Sequence, residues 1–182
     1  MAAFDSGPGT WFPGYLPATL ASVLSARIIP ARGGETEYVS TRLAWERLED
    51  ASRKRLENSF AWHDYAHSRR QIAPDLVSAE ERAALPPQCW RMAWTNPVNG
   101  RCALYLASHA SHVVGWPVPE GRLLLRDLTE HATQPGFVYR HAWHAADLVI
   151  WDNLATMHRA RAFDDSAHRR ELRRVTTLDL RS

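Results

Sequence analysis

Lysine is almost absent from this 182-residue chain. Of its 22 basic residues, Lys54 is the single lysine and the other 21 are arginines. Twenty acidic residues nearly balance them, leaving a formal net charge of +2. That is too little to draw in a nucleic-acid backbone, whose binding rests on many phosphate contacts. Cysteine is scarce too. Cys89 and Cys102 are the two present, and neither sits in a CxxC spacing. Neither a disulfide framework nor a zinc site is expected from them. No apolar run approaches the roughly 20 residues that span a bilayer. The N-terminus lacks the basic and apolar regions of a signal peptide. Repeats, linkers and low-complexity segments are not found. These exclusions make a soluble cytoplasmic protein, with no nucleic-acid and no membrane partner, the expectation.

What is present is an ordinary globular composition, 45% hydrophobic, at a length that suits one domain over residues 1–182 with a sizeable core. Arginine is the better residue for planar, two-pronged carboxylate recognition. A genome rich in arginine codons would account for the same bias.

Along the chain, residues 1–14 are rich in Gly and Pro and carry no periodic signal. Residues 21–29 are apolar and partly β-branched enough for a buried strand. Pro30-Ala-Arg-Gly-Gly34 is a turn, and residues 35–39 resume as a strand. Ser40 or Thr41 can cap a helix running to about Phe60, with Leu43, Leu48, Ala51 and Leu56 as its apolar stripe. Residues 68–87 read as loop, interrupted by a short helix that Ser78-Ala-Glu-Glu81 opens as a capping box. Residues 89–94 and 101–107 read as strands around the hairpin turn Asn96-Pro-Val-Asn-Gly100. Ser108-His-Ala-Ser-His112 is a polar segment between apolar ones. Residues 119–132 read as a helix with Pro119 in its first turn and Leu123, Leu124, Leu125 and Leu128 towards the core. Residues 137–140, 147–151 and 172–178 are short strands. Leu148 to Trp151 reads as buried, and Asp152-Asn153 as the polar turn that ends it. Many short strands with helices between them predict a mainly β fold: a jelly-roll-like core with flanking helices.

Nine histidines are too many to be equal candidates, and most histidines are structural. His63 and His67 stand four apart, a spacing that chelates a metal from a helix face, but no HExxH pattern accompanies them. His158 has the more telling setting. It follows the strand ending in Trp-Asp-Asn and precedes the run carrying Arg170 and Arg174. A histidine there can hold a metal, and the arginines can hold a carboxylate.

These segments, taken in order, resemble the TauD/TfdA family of Fe(II)/2-oxoglutarate-dependent dioxygenases. The likeness is carried by Leu24-Ser-Ala-Arg27, Gly33-Gly-Glu-Thr-Glu37, Ala84-Leu-Pro-Pro87 and Leu104-Tyr-Leu106 with Ser108-His-Ala-Ser-His112. It continues through His131-Ala-Thr-Gln134 with Phe137-Val-Tyr-Arg-His141, Asp147-Leu-Val-Ile-Trp-Asp-Asn153, Met157-His158-Arg159 and Arg169-Arg-Glu-Leu-Arg-Arg174. It is nearest to the alkanoate type that includes 2,4-dichlorophenoxyacetate dioxygenase, and it runs from about Thr10 to Leu178. The resemblance implies a double-stranded β-helix, or jelly roll, and Fe(II) with 2-oxoglutarate as cosubstrate. It also implies O₂ and a small organic acid, aryloxyalkanoate- or sulfonate-like, as reactants. His158 resembles the distal histidine of the 2-His-1-carboxylate triad. Arg170 resembles the arginine that pairs with the far carboxylate of 2-oxoglutarate, and Thr36 the hydroxyl donor to it. Arg174 resembles the arginine that holds the acidic group of the substrate, with His109 and His112 facing the same pocket. Trp151 is expected beside the metal.

The remaining two ligands of such a triad would come from an H-x-D motif just upstream of Gly9-Thr-Trp-Phe12. The corresponding position reads Ser6-Gly-Pro8, and no H-x-D or H-x-E occurs in the 182 residues. The resemblance therefore implies a jelly roll incomplete at its N-terminus and an activity impaired by loss of those ligands. It leaves open a non-catalytic remnant that binds a small carboxylate or pairs with a partner chain, including a homo-oligomer through an exposed sheet edge. A cupin-like metal module, with further histidines converging on His158, is a third reading. Translation of the DNA upstream of Met1 in all frames is expected to yield an H-x-D-encoding stretch. Its absence there would rule out a misplaced start or a frameshift.

Overall fold

Eleven strands and five helices are placed by the computed structural model, which describes residues 19–73 and 76–178. The reading of residues 1–14 lies outside them. In order these are β1 (Thr19–Ile28), β2 (Thr36–Ser40), α1 (Thr41–Glu46), α2 (Asp50–Leu56), β3 (Phe60–His63), α3 (Tyr65–Arg70) and α4 (Ala79–Ala84). β4 (Gln88–Arg91), β5 (Ala93–Thr95), β6 (Cys102–Leu104), β7 (Ala110–Val113) and α5 (Val118–Ala132) follow. A 3₁₀ turn at Pro135–Phe137 leads into β8 (Val138–His141), β9 (Leu148–Asp152), β10 (Thr156–Ala160) and β11 (Glu171–Leu178).

Two three-stranded antiparallel sheets frame the candidate site, in the orders β11-β1-β9 and β10-β2-β8. A third sheet, β4-β3-β7, and the hairpin β5-β6 form the other side of the molecule. The core runs between them through Val39, Trp45, Leu56, Met92, Leu104, Leu106, Val113, Leu125, Leu128 and Met157. The chain is thus mainly β with helices, and among the described residues no helix is long and apolar enough to cross a membrane.

Local signals placed several elements well. Ser78 and Glu81 form the expected capping box on α4, and Asn96 to Gly100 turns between β5 and β6, with Gly100 at φ +69°. In α5 the buried residues are Gly121, Leu125, Leu128 and Ala132, a spacing of four, three and four that keeps to one helix face. Leu123 is not among them. It lies two residues, about 200°, from Leu125 and is 49% exposed.

Other expectations need correction. The single helix over residues 41–60 is two short helices followed by β3. Nothing in Arg47-Leu-Glu49 is a helix breaker, so local propensity could not show the turn. The break follows from tertiary packing: α1 buries Ala44 and Trp45 against β6 and α5 rather than Leu43, which is exposed. With β3 a strand, His63 and His67 belong to different elements, and their i,i+4 spacing has no helical meaning. The polar segment 108–112 supplies three of the four residues of β7, a strand whose alternate residues Ser111 and Val113 are buried. Residues 156–160, around His158, carry no strand expectation from the sequence and form β10. The Leu148 to Trp151 run is half-buried rather than buried, since Leu148 and Ile150 are 62% and 64% exposed.

β2 is the central strand of its sheet, and its pleat sorts side chains to opposite faces. Thr36 and Tyr38 share one face. Glu37 takes the other, opposite Arg140 of β8 and Arg159 of β10 in the register. Its buried carboxylate accepts from Arg140 Nε and Nη2 at 3.1 and 2.8 Å and from Arg159 Nε at 2.7 Å, with Arg161 Nε 3.8 Å away. Burial pushes this carboxyl up, but the hydrogen bonds of Arg159 and Arg140 and the charges of Arg159 and Arg161 bring it below its ordinary 4.5. The stability it contributes is therefore present above pH 4.5 and is lost as pH falls through the depressed folded value. Replacement Glu37→Gln is expected to lower stability by about 1–3 kcal/mol at neutral pH. It should also weaken the loss of stability on acidification, as read by urea unfolding between pH 3 and 8.

Candidate active site

The turn between β1 and β2 sets the site's geometry. Gly33 and Gly34 both adopt left-handed conformations, φ +76° and +72°, which non-glycine residues tolerate poorly. Gly34 also has no side chain where one would stand 3.0 Å from Arg170 Cδ. The arginine fills that space. Its Nε donates to the Gly34 carbonyl at 2.9 Å, and its Nη2 reaches Thr36 Oγ1 at 3.4 Å. Burial draws the Arg170 guanidinium down from its ordinary value, with Tyr38 opposing, yet a guanidinium remains charged in a protein. The result is a half-buried cation beside a buried hydroxyl.

Thr36 receives a second hydrogen bond from the indole N–H of Trp143 at 2.9 Å. Two residues along β2, Tyr38 pairs in register with His158 of β10. Their rings are stacked, 6.1 Å between centroids at 26°. Trp151 of β9 packs on the His158 ring at 4.8 Å and on Tyr38 at 5.4 Å, so the three rings form one mutually packed cluster. Burial raises the Tyr38 phenol well above its ordinary value, with Thr36 and Arg170 opposing. It stays protonated.

Thr36, His158 and Arg170 open onto one pocket of about 400 Å³, lined also by Leu24, Arg159, Ala160, Leu172 and Arg174. It spans the two framing sheets, since Leu24 and Leu172 come from β1 and β11 and His158 from β10. Arg174 lies directly across from Leu24. The pocket offers two guanidiniums, one hydroxyl, one imidazole and two apolar walls, a chemistry suited to an anionic ligand with more than one acidic end.

Of the residues singled out in the sequence, the structure brings Thr36, His158, Arg170 and Arg174 together and puts Trp151 beside His158. His109 and His112 lie elsewhere. His109 is buried just before β7, its ring 5.0 Å from that of His63. His112 on β7 pairs in register with Trp62, and its Nδ1 lies 2.9 Å from Ser111 Oγ. Neither lines this pocket. Sequence reasoning missed Tyr38 and Trp143. The pleat of β2 could have shown Tyr38 on the face of Thr36, but no local signal points Trp143 at Thr36 across 107 residues.

The residues present fit the carboxylate end of a 2-oxo acid cosubstrate, through Arg170 and Thr36. They do not make up a metal site. Among the described residues no group of three or more His, Cys, Asp or Glu side chains is placed to hold an ion, so His158 stands as one candidate ligand. The further histidines that a cupin-like module would need do not converge on it.

Comparison with known proteins places this geometry. Residues 14–176 match the taurine catabolism dioxygenase TauD, TfdA family. The alpha-ketoglutarate-dependent 2,4-dichlorophenoxyacetate dioxygenase of Burkholderia sp. (strain RASC) is 47% identical over 165 residues, which is 91% of this chain and 55% of that protein. The enzyme of the same description from Cupriavidus pinatubonensis (strain JMP 134 / LMG 1197) is also 47% identical, over 163 residues, 90% of this chain and 56% of that one. Among solved structures, AAD-2 in complex with Mn(II) and N-oxalylglycine superposes with a TM-score of 0.88 at 40% identity, covering 97% of this chain and 68% of that one. The chain thus spans about half the length of the curated relatives it matches. By its sequence and its fold, the chain belongs to the TauD/TfdA family.

Proposed function

We propose that this chain is the part of a 2-oxoglutarate-dependent dioxygenase that grips the cosubstrate's far carboxylate and the acid group of the substrate. The observation that carries this reading is the Arg170 guanidinium seated in the Gly34 turn, against the Thr36 hydroxyl, in one pocket with His158. In this reading the pair of sheets β11-β1-β9 and β10-β2-β8 is the core of a jelly roll, and residues 1–182 are a single domain of that fold.

The roles follow from chemistry. The far carboxylate of 2-oxoglutarate meets a fixed cation at Arg170 and a neutral donor at Thr36. His158 contributes one metal position, its ring orientation held by Tyr38 and Trp151. Arg174 takes the anionic group of a small organic acid, aryloxyalkanoate- or sulfonate-like, while Leu24 and Leu172 cover its apolar part. His158 would supply one ligand to an Fe(II) centre, and such a centre, completed by ligands outside the described residues, would supply the oxidising chemistry for hydroxylation of a substrate C–H. The protein's part is to orient both acids and exclude water.

A second reading is favoured by the single candidate ligand at His158: a dicarboxylate-binding module without a metal. An anaerobic titration separates the two. The dioxygenase reading expects 2-oxoglutarate binding by calorimetry and, with Fe(II), a visible absorption band. Arg170→Gln should weaken 2-oxoglutarate binding by about tenfold or more. Binding without the band supports the second reading. Failure of the wild-type chain to bind 2-oxoglutarate at all would sink both.

A further inference from the structure

A hydroxyl can accept two hydrogen bonds and donate one. The two groups that reach Thr36 Oγ1 are both obligate donors: the Trp143 indole N–H at 2.9 Å and the Arg170 Nη2 at 3.4 Å. Neither can receive the threonine proton. That proton needs an acceptor, such as the Tyr38 hydroxyl two residues along the same face of β2 or an anion in the pocket. A carboxylate is the stronger acceptor, because hydrogen bonds to ionised groups are roughly twice as strong as neutral ones.

Trp143 is well held for this task. It is 6% exposed. Its ring meets that of His141 edge-on, at 4.5 Å and 86°. His141 Nε2 in turn lies 3.1 Å from Asp147 Oδ2, which also accepts the His144 backbone N–H at 2.8 Å. The β8–β9 connection is thereby closed on Asp147, which ties down the residues on both sides of Trp143.

We infer that Trp143 is a positioning residue that fixes the polarity of Thr36, committing its hydroxyl to donate to a ligand carboxylate. The inference rests on the reading of the pocket given above. Without the indole N–H, one lone pair of Thr36 is released. The hydroxyl can then rotate, and the donor must be reoriented each time a carboxylate binds.

A double-mutant cycle on the full chain tests this, with 2-oxoglutarate as the probe and calorimetry as the readout. Trp143→Phe keeps an aromatic ring and removes the N–H. In the wild-type background it is expected to weaken binding by about 3–10-fold, the size of one neutral hydrogen bond. In a Thr36→Val background it is expected to have almost no further effect. An equal loss in both backgrounds would mean that Trp143 acts by packing alone and would overturn the inference, as would unchanged binding by Trp143→Phe. Should Trp143→Phe fail to fold, 3-benzothienylalanine at position 143 retains the fused ring without the N–H and enters the same cycle. If the wild-type chain and Arg170→Gln bind 2-oxoglutarate equally poorly, the reading of the pocket fails and the inference with it. If Arg170→Gln weakens binding and the cycle shows no coupling, the inference alone fails.

Discussion

The structure depends on one buried carboxylate. Glu37 sits at the centre of the β10-β2-β8 sheet and meets an arginine from each neighbouring strand. Breaking such a pair leaves an uncompensated charge, which is costly. The arrangement therefore opposes a one-residue slip of β10 or β8 against β2. A slip would turn every side chain to the opposite face. It would take His158 away from its register partner Tyr38. The outward face of β2 holds the register, and the inward face uses it.

The inward face is a set of hydrogen-bond donors and aromatic rings beside one pocket. Gly34 leaves room for the Arg170 side chain. Trp143 and Arg170 both donate to Thr36, while Tyr38 and Trp151 pack against His158 and each other. The pocket is polar where an acid would sit and apolar on its Leu24 and Leu172 walls. This matches a family whose relatives are alpha-ketoglutarate-dependent dioxygenases of an aryloxyacetate.

Much of the fold was legible residue by residue. Capping boxes, hairpin turns and glycine-rich turns carry their own local signals, and Ser78-Glu81, Asn96-Gly100 and the turn ending in Gly33-Gly34 are legible from them. The long helix over 41–60 failed for the opposite reason. Its interruption at Arg47-Leu-Glu49 is imposed by packing on β6 and α5, which no local window contains. β10 was hidden because its residues, Thr156-Met-His-Arg-Ala160, gain strand character from pairing with β2. His109 shows the limit of a family likeness: its polar segment matched, yet the side chain is packed against His63 and away from the pocket.

The sequence by itself determined which chemical groups are available. These are an arginine-rich, carboxylate-binding inventory, a histidine after Trp-Asp-Asn, paired glycines in a turn, and an ordered series of segments that mark the family. Only the tertiary structure decided which of them meet. Thr36, Trp143, His158 and Arg170 come from four separate stretches, and their distances follow from strand register and sheet packing. Whether Thr36 gives or takes a hydrogen bond is decided later still, by two donors that arrive from 107 and 134 residues away. A hydroxyl has no fixed polarity of its own, so only the partners that folding brings to it can choose one.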